Sequence, residues 1–130
     1  LFRSGFIIWD IYILEELFNK LLSLIAAQKS NEVCELSIYD WSLETFAGTR
    51  QVKPAQLLII EGVGSCNILI REKLTTSIWL DIDHQVGLSR VLDRDGEAIR
   101  NEMVKWQDME SEYFAKDLTR ESADFILSTQ

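Results

Sequence analysis

Apolar and polar positions alternate along the chain in several recognisable rhythms. Ile11, Leu14, Phe18, Leu21 and Ile25 recur at helical spacing, and Leu17 and Leu24 widen the stripe. Glu15, Glu16, Asn19 and Ser23 face the other way, so residues Ile8 to Gln28 read as an amphipathic helix that covers a core. Val33 to Tyr39 alternates and predicts a short strand, and Gly48 to Pro54 predicts a loop. Leu57 to Ile60 is an unbroken aliphatic run that stops at Glu61-Gly62-Val63-Gly64, the pattern of a fully buried strand entering a glycine-relieved turn. Ser65 then caps a helix through Leu74. Ser77 to Ile82 is a second buried strand, and Asp83 caps a helix carrying Val86, Leu88, Val91 and Leu92 up to Gly96. Glu97 to Leu118 is helical again, with Ile99, Met103, Trp106, Met109 and Tyr113 in one stripe. Ala123 to Leu127 predicts a last strand.

Strands and helices in alternation, with short aliphatic strands, predict an α/β fold: a three-layer parallel sheet with helices on both faces. Ligands in such sheets sit beyond the carboxyl ends of the strands. That rule directs attention to Tyr39-Asp40, Glu61-Gly62 and Asp81 to Asp83, which follow three separate strands.

Composition narrows the function classes. The chain has 130 residues, 47% hydrophobic and 26% charged, enough for a single domain with one core and unlike a disordered chain. A net charge of -8 disfavours nucleic-acid backbones and anionic membranes, while leaving room for a small phosphorylated ligand at a local arginine cluster. Phe6 to Ala27 is apolar but interrupted by Asp10, Glu15, Glu16 and Lys20, so it is neither a membrane span nor a signal peptide. Cys34 and Cys66 stand apart and His84 is the lone histidine, which argues against structural zinc and for two reduced thiols in a cytoplasmic protein. The chain opens on Leu1 rather than Met, and a fragment or processed product is therefore expected.

Three groups of residues are suited to chemistry. Glu61, at the end of a buried aliphatic run, needs a cation to balance it, and a magnesium ion held through water would do so; Gly62 lets the chain turn beside a ligand. An ordinary solvated strand-end acid is the plain alternative. Arg90 and Arg94 lie four apart on one helix face, with Arg100 beyond, and two adjacent guanidinium forks suit a polyanion. Surface ion pairing with Asp93, Asp95 and Glu97 is the competing explanation. Tyr39-Asp40-Trp41 sets two aromatics around a strand-end acid, fit for a planar base and a sugar hydroxyl, or simply for the rim of the core. No G-x-x-x-x-G-K-[ST] phosphate loop occurs in the sequence.

Taken in order, these motifs resemble the back portion of P-loop uridine kinase-like proteins, and among them the small actinobacterial-type branch. The resemblance rests on Tyr39-Asp40-Trp41, Ile60-Glu61-Gly62-Val63-Gly64, Arg94-Asp95-Gly96, a Trp-bearing helix, Thr119-Arg120-Glu121 and Ala123-Asp124, and it covers Tyr39 to Leu127. It implies a single partial domain over residues 1–130 with a lid near residues 90–100. The first strand and phosphate loop would lie upstream, and Leu1-Phe2-Arg3 would be what remains of an aromatic-rich segment after a catalytic acid. Glu44 and Phe46 fall where typical uridine kinases carry a His and an Arg for the pyrimidine, so the acceptor need not be uridine.

The implied activity is ATP- and Mg²⁺-dependent phosphorylation of a small hydroxyl acceptor, a nucleoside or similar. Glu61 would orient the metal, Arg90 and Arg94 would act on the phosphates as catalytic lid residues, and Tyr39, Asp40 and Arg100 would bind substrate. The chain by itself is expected to be weakly active or inactive. The alternative is a degenerate, non-catalytic binding or scaffold module whose open sheet edge favours homo-oligomers.

Overall fold

The computed structural model describes residues 11–40, 43 and 45–129, and the side chains from residue 16 onward within that span. The chain divides into two compact units, one holding described residues up to Gly62 and the other beginning at Val63.

The first unit is a helix and a hairpin. Helix α1 spans Ile11–Ser30; the part of the expected helix before Ile11 lies outside the described residues. It ends where Asn31 takes a left-handed conformation (φ 57°), and Glu32 N–H donates to Ala27 O at 2.9 Å, satisfying a carbonyl of the last turn. Leu24 and Ile25 of α1 are buried, as is Cys34 at the start of β1.

Strand β1, Cys34–Asp40, does not join a parallel sheet. It pairs antiparallel with β2, Thr45–Val52, in the register Cys34↔Val52 to Asp40↔Thr45. The stretch expected as a loop from Gly48 is therefore mostly strand. Its glycine marks an irregularity in the ladder instead: the register slips between Ser37 and Tyr39, and Gly48 sits opposite the slip at φ 78°. A bulge of this kind favours a residue free of a Cβ penalty. Gln28 of α1 clamps the chain just past the hairpin, its amide Nε2 donating to Ala55 O and its Oε1 accepting from Ala55 N–H.

Residues 57–60, expected as a buried strand, form neither strand nor helix, and Leu57 and Ile59 are 73% and 76% exposed. An aliphatic run becomes a strand only when a neighbouring ladder takes its N–H and C=O groups. None does so here among the described residues.

The second unit is α/β. Helix α2 is only Ile68–Arg71, shorter than expected, and its cap is Asn67 rather than Ser65, with Asn67 Oδ1 accepting from Leu69 N–H at 2.9 Å. Strand β3 (Ile78–Asp81) is followed by α3 (His84–Asp95), a 3₁₀ turn (Glu97–Ile99), α4 (Arg100–Asp117) and β4 (Phe125–Ser128). Asp83 caps α3 as expected, accepting from Gln85 N–H at 2.8 Å and Val86 N–H at 3.2 Å. Gly96 at φ 95° ends the helix. Strands β3 and β4 pair in parallel, Ile78↔Phe125 through Asp81↔Ser128, joined by the helical crossover that parallel pairing demands. Asp124 sets their start, its Oδ2 accepting from both Ser77 N–H (2.7 Å) and Ser77 Oγ–H (2.8 Å).

The mixed α/β architecture, with a parallel pair and packed helices, is compatible with a P-loop kinase fold. The strands are less buried than their sequence predicts: Ile78, Leu80, Phe125 and Leu127 are all exposed. Register pairs Ile78 with Phe125 and Leu80 with Leu127, so all four lie on one face of the pair. On the other face Trp79 meets Phe114 of α4 edge-on, with ring centroids 4.7 Å apart. Parallel strands are buried on both faces only where a layer covers each, and α4 supplies one. The core of this unit gathers Ile70, Leu92 and Met103.

Candidate functional site

The candidate residues fall into two sets, one in each unit. In the first unit, Tyr39 and Asp40 end strand β1 at the hairpin tip, half-buried. Antiparallel register sets Tyr39 opposite Phe46, and their rings meet edge to face at 5.1 Å. Asp40 Oδ1 accepts from Leu43 N–H at 3.1 Å, so its carboxylate also shapes the turn. Trp41 and Glu44 lie outside the described residues. Glu61 is exposed in an irregular segment, and Gly62 follows at φ 118° with open space where a Cβ would stand.

The second unit holds the arginines. Arg90 projects from α3 and its Nη2 donates to Thr129 O at 2.8 Å, stitching the helix to the end of β4. Arg94, two-thirds exposed, forks onto the neighbouring Asp95 (Nε–Oδ1 3.0 Å, Nη2–Oδ2 2.6 Å). This pairing holds the Asp95 carboxyl below its ordinary range and raises Arg94. Arg100 opens α4 and makes the same fork with Glu97, both bonds 2.8 Å, which lowers the Glu97 carboxyl. Arg94 and Arg100 thus rest on adjacent acids in the manner of surface ion pairs. Such pairs are weak and exchange readily with a stronger anion.

Two further polar groups stand out: Asp81, at a strand end to which the sequence pointed, and Asp117, which no motif nominated. At the carboxyl end of β3, Asp81 accepts from Trp79 Nε1–H at 3.1 Å and from Arg120 Nη2–H at 2.9 Å. The Arg120 bond first, then the indole, holds its carboxyl below the usual range. The i, i+2 spacing of Trp79 and Asp81 signals a shared strand face, but Arg120 comes from far along the chain. Asp117, 5% exposed, is the second: its Oδ1 accepts from Asn67 Nδ2–H (3.2 Å) and Ile68 N–H (3.0 Å), and its Oδ2 from Arg71 Nη2–H (2.6 Å) and Thr119 Oγ1–H (2.6 Å). Asn67 also donates to the Tyr113 hydroxyl at 2.7 Å.

Among the described residues no three His, Cys, Asp or Glu side chains gather in a way that would hold a metal ion, and no helix is long and apolar enough to cross a membrane. Glu61 stands exposed and ends no strand, so the burial from which a balancing cation was expected is not there. Cys34 and Cys66 are both free thiols, Cys34 buried and Cys66 half-buried.

A search of curated proteins gave no match. A family model does match, over residues 13–105, a span that takes in the hairpin, Glu61-Gly62 and all three candidate arginines, and it places the chain in the phosphoribulokinase/uridine kinase family.

Proposed function

We propose that this chain is part of an ATP- and Mg²⁺-dependent phosphotransferase that acts on a small hydroxyl acceptor, a nucleoside or a compound like it, within the small uridine kinase-like branch. One observation carries the reading: a single family match, over residues 13–105, contains Tyr39, Asp40, Glu61, Arg90, Arg94 and Arg100 together. Membership in a kinase family suggests ATP-dependent phosphoryl transfer. The residue roles rest on chemistry.

Glu61 would be the carboxylate that holds a hydrated magnesium ion, its exposure leaving it open to one. When bound, that ion neutralises charge on the β- and γ-phosphates. Arg94 leaves Asp95 for the phosphates, and its planar fork stabilises charge that spreads over the transferred group. Arg90 sits one turn away on the same helix and joins it. Arg100 exchanges Glu97 for the substrate. At the hairpin tip Tyr39 offers a ring face and edge to a planar acceptor, and Asp40 accepts from a sugar hydroxyl.

A second reading is favoured by one feature of the sequence: without G-x-x-x-x-G-K-[ST], these 130 residues have no glycine-rich cradle for a triphosphate. They would then form a non-catalytic binding module that assembles with itself. Calorimetric titration of the chain with ATP and Mg²⁺, followed by transfer of labelled γ-phosphate to uridine, separates the two. We expect weak, magnesium-dependent ATP binding that Arg94→Gln abolishes, with little or no turnover. Failure of ATP to bind under any magnesium concentration refutes the kinase reading for this chain.

A further inference from the structure

The hairpin tip is braced from behind. Lys20 of α1 carries its ammonium 3.0 Å from the centroid of the Phe46 ring, while Glu16, one turn earlier, holds the same ammonium at 2.7 Å. The Lys20 side chain is 19% exposed, so the cation and ring interact with limited competition from water. Phe46 in turn meets Tyr39 edge to face at 5.1 Å across a directly paired register position. Glu16, Lys20, Phe46 and Tyr39 thus form one unbroken line from the exposed side of a helix to a ring at the hairpin tip.

We infer that Lys20 is a positioning residue for acceptor binding, acting through Phe46 to fix the ring of Tyr39. This rests on the proposed role of Tyr39 in holding a planar acceptor. The physical basis is rotational. A Tyr ring at a hairpin tip has two soft side-chain torsions, and an edge-to-face neighbour narrows them only if that neighbour is itself held. The ammonium supplies the hold, because it attracts the face of Phe46 along one direction and Glu16 stops it from turning to solvent. Phe46 therefore works as an internal brace, its ring engaged by Lys20 and Tyr39, rather than as a group that reads the acceptor.

The test uses the full chain labelled with 3-fluorotyrosine, the position 39 resonance being assigned by Tyr39→Phe. Lys20→Met removes the cation and keeps the stem; Lys20→Arg keeps a cation over the ring. We expect Lys20→Met to shift and broaden the position 39 resonance and to weaken uridine binding about three- to tenfold, the range a partly desolvated cation–π contact carries. Lys20→Arg should restore both, and thermal melting should be near that of the parent for each variant. An unmoved resonance in Lys20→Met overturns the inference, as does unchanged uridine affinity in a parent that binds it. Should the resonance move as expected while the parent binds no nucleoside, the brace stands and the acceptor role of the hairpin falls.

Discussion

At the scale of single residues, Asp117 is a closely held polar group that the candidate chemistry does not use. Its carboxylate is almost wholly enclosed and accepts from four donors, one of them the guanidinium of Arg71. Removing one partner of a buried pair leaves the other charge without compensation. Asp117→Ala is therefore expected to cost about 3 kcal/mol or more, read as a lowered urea midpoint. Asp124 makes a pH prediction. Two hydrogen bonds from Ser77 favour its ionised form and hold its carboxyl below the ordinary value. A carboxyl lowered in the folded state stabilises the fold above its unfolded pKa, and the contribution disappears as pH falls through the folded one. The loss of melting temperature between about pH 7 and about pH 3 should be smaller in Asp124→Asn than in the parent.

At the scale of elements, local sequence and local structure agree at the start of α3, though not at the start of α2, where Asn67 caps in place of Ser65. Asp83 is both the residue the pattern nominates and the one whose side chain accepts from two N–H groups of α3. Replacing it with Ala should destabilise the unit by about 1 kcal/mol, and Asp83→Asn should recover most of that, followed by helical circular dichroism on heating. Arg94 gives a prediction of a different kind. Arg94 and Asp95 are neighbours at the surface, so Asp95→Asn should leave the melting midpoint unchanged. If Arg94 engages phosphate, the same substitution removes a competitor and strengthens ATP binding severalfold in calorimetry; weaker binding would point to a role for Asp95 itself.

At the scale of the whole molecule, the candidate residues are divided between two units: Tyr39, Asp40 and Glu61 in one, the three arginines in the other. Hydrogen exchange measures whether ATP engages both. Adding ATP with Mg²⁺ should slow exchange over the 3₁₀ turn and the adjoining ends of α3 and α4, and around Gly62. Slowing confined to the arginine segment would leave Glu61 without a role at the metal. The acidic balance of the chain, -8 in net charge, works against anion binding at long range, so affinity should be governed by local guanidinium contacts.

The sequence by itself determined the elements whose signals are local. Helical spacing fixed α1 and α4, alternation fixed β1, an aliphatic run fixed β3, and Asp83 fixed the start of α3, because each depends on residues within a turn or two of one another. The nominated site residues were local readings as well. What only the tertiary structure decided is pairing. Alternation marks a strand without naming its partner or direction, so β1 met β2 in an antiparallel hairpin rather than entering a parallel sheet. The run from Leu57 to Ile60 has the composition of a strand and no ladder beside it. The same holds for charges: whether an arginine rests on a neighbour, as Arg94 does, or reaches across the chain, as Arg71 and Arg120 do, depends on which backbone segments the fold brings within a few ångströms. Spacing along the chain announces the local pairs, Arg94 with Asp95 and Arg100 with Glu97, but it cannot encode the distant ones, because hydrogen bonds need contact that only the fold creates.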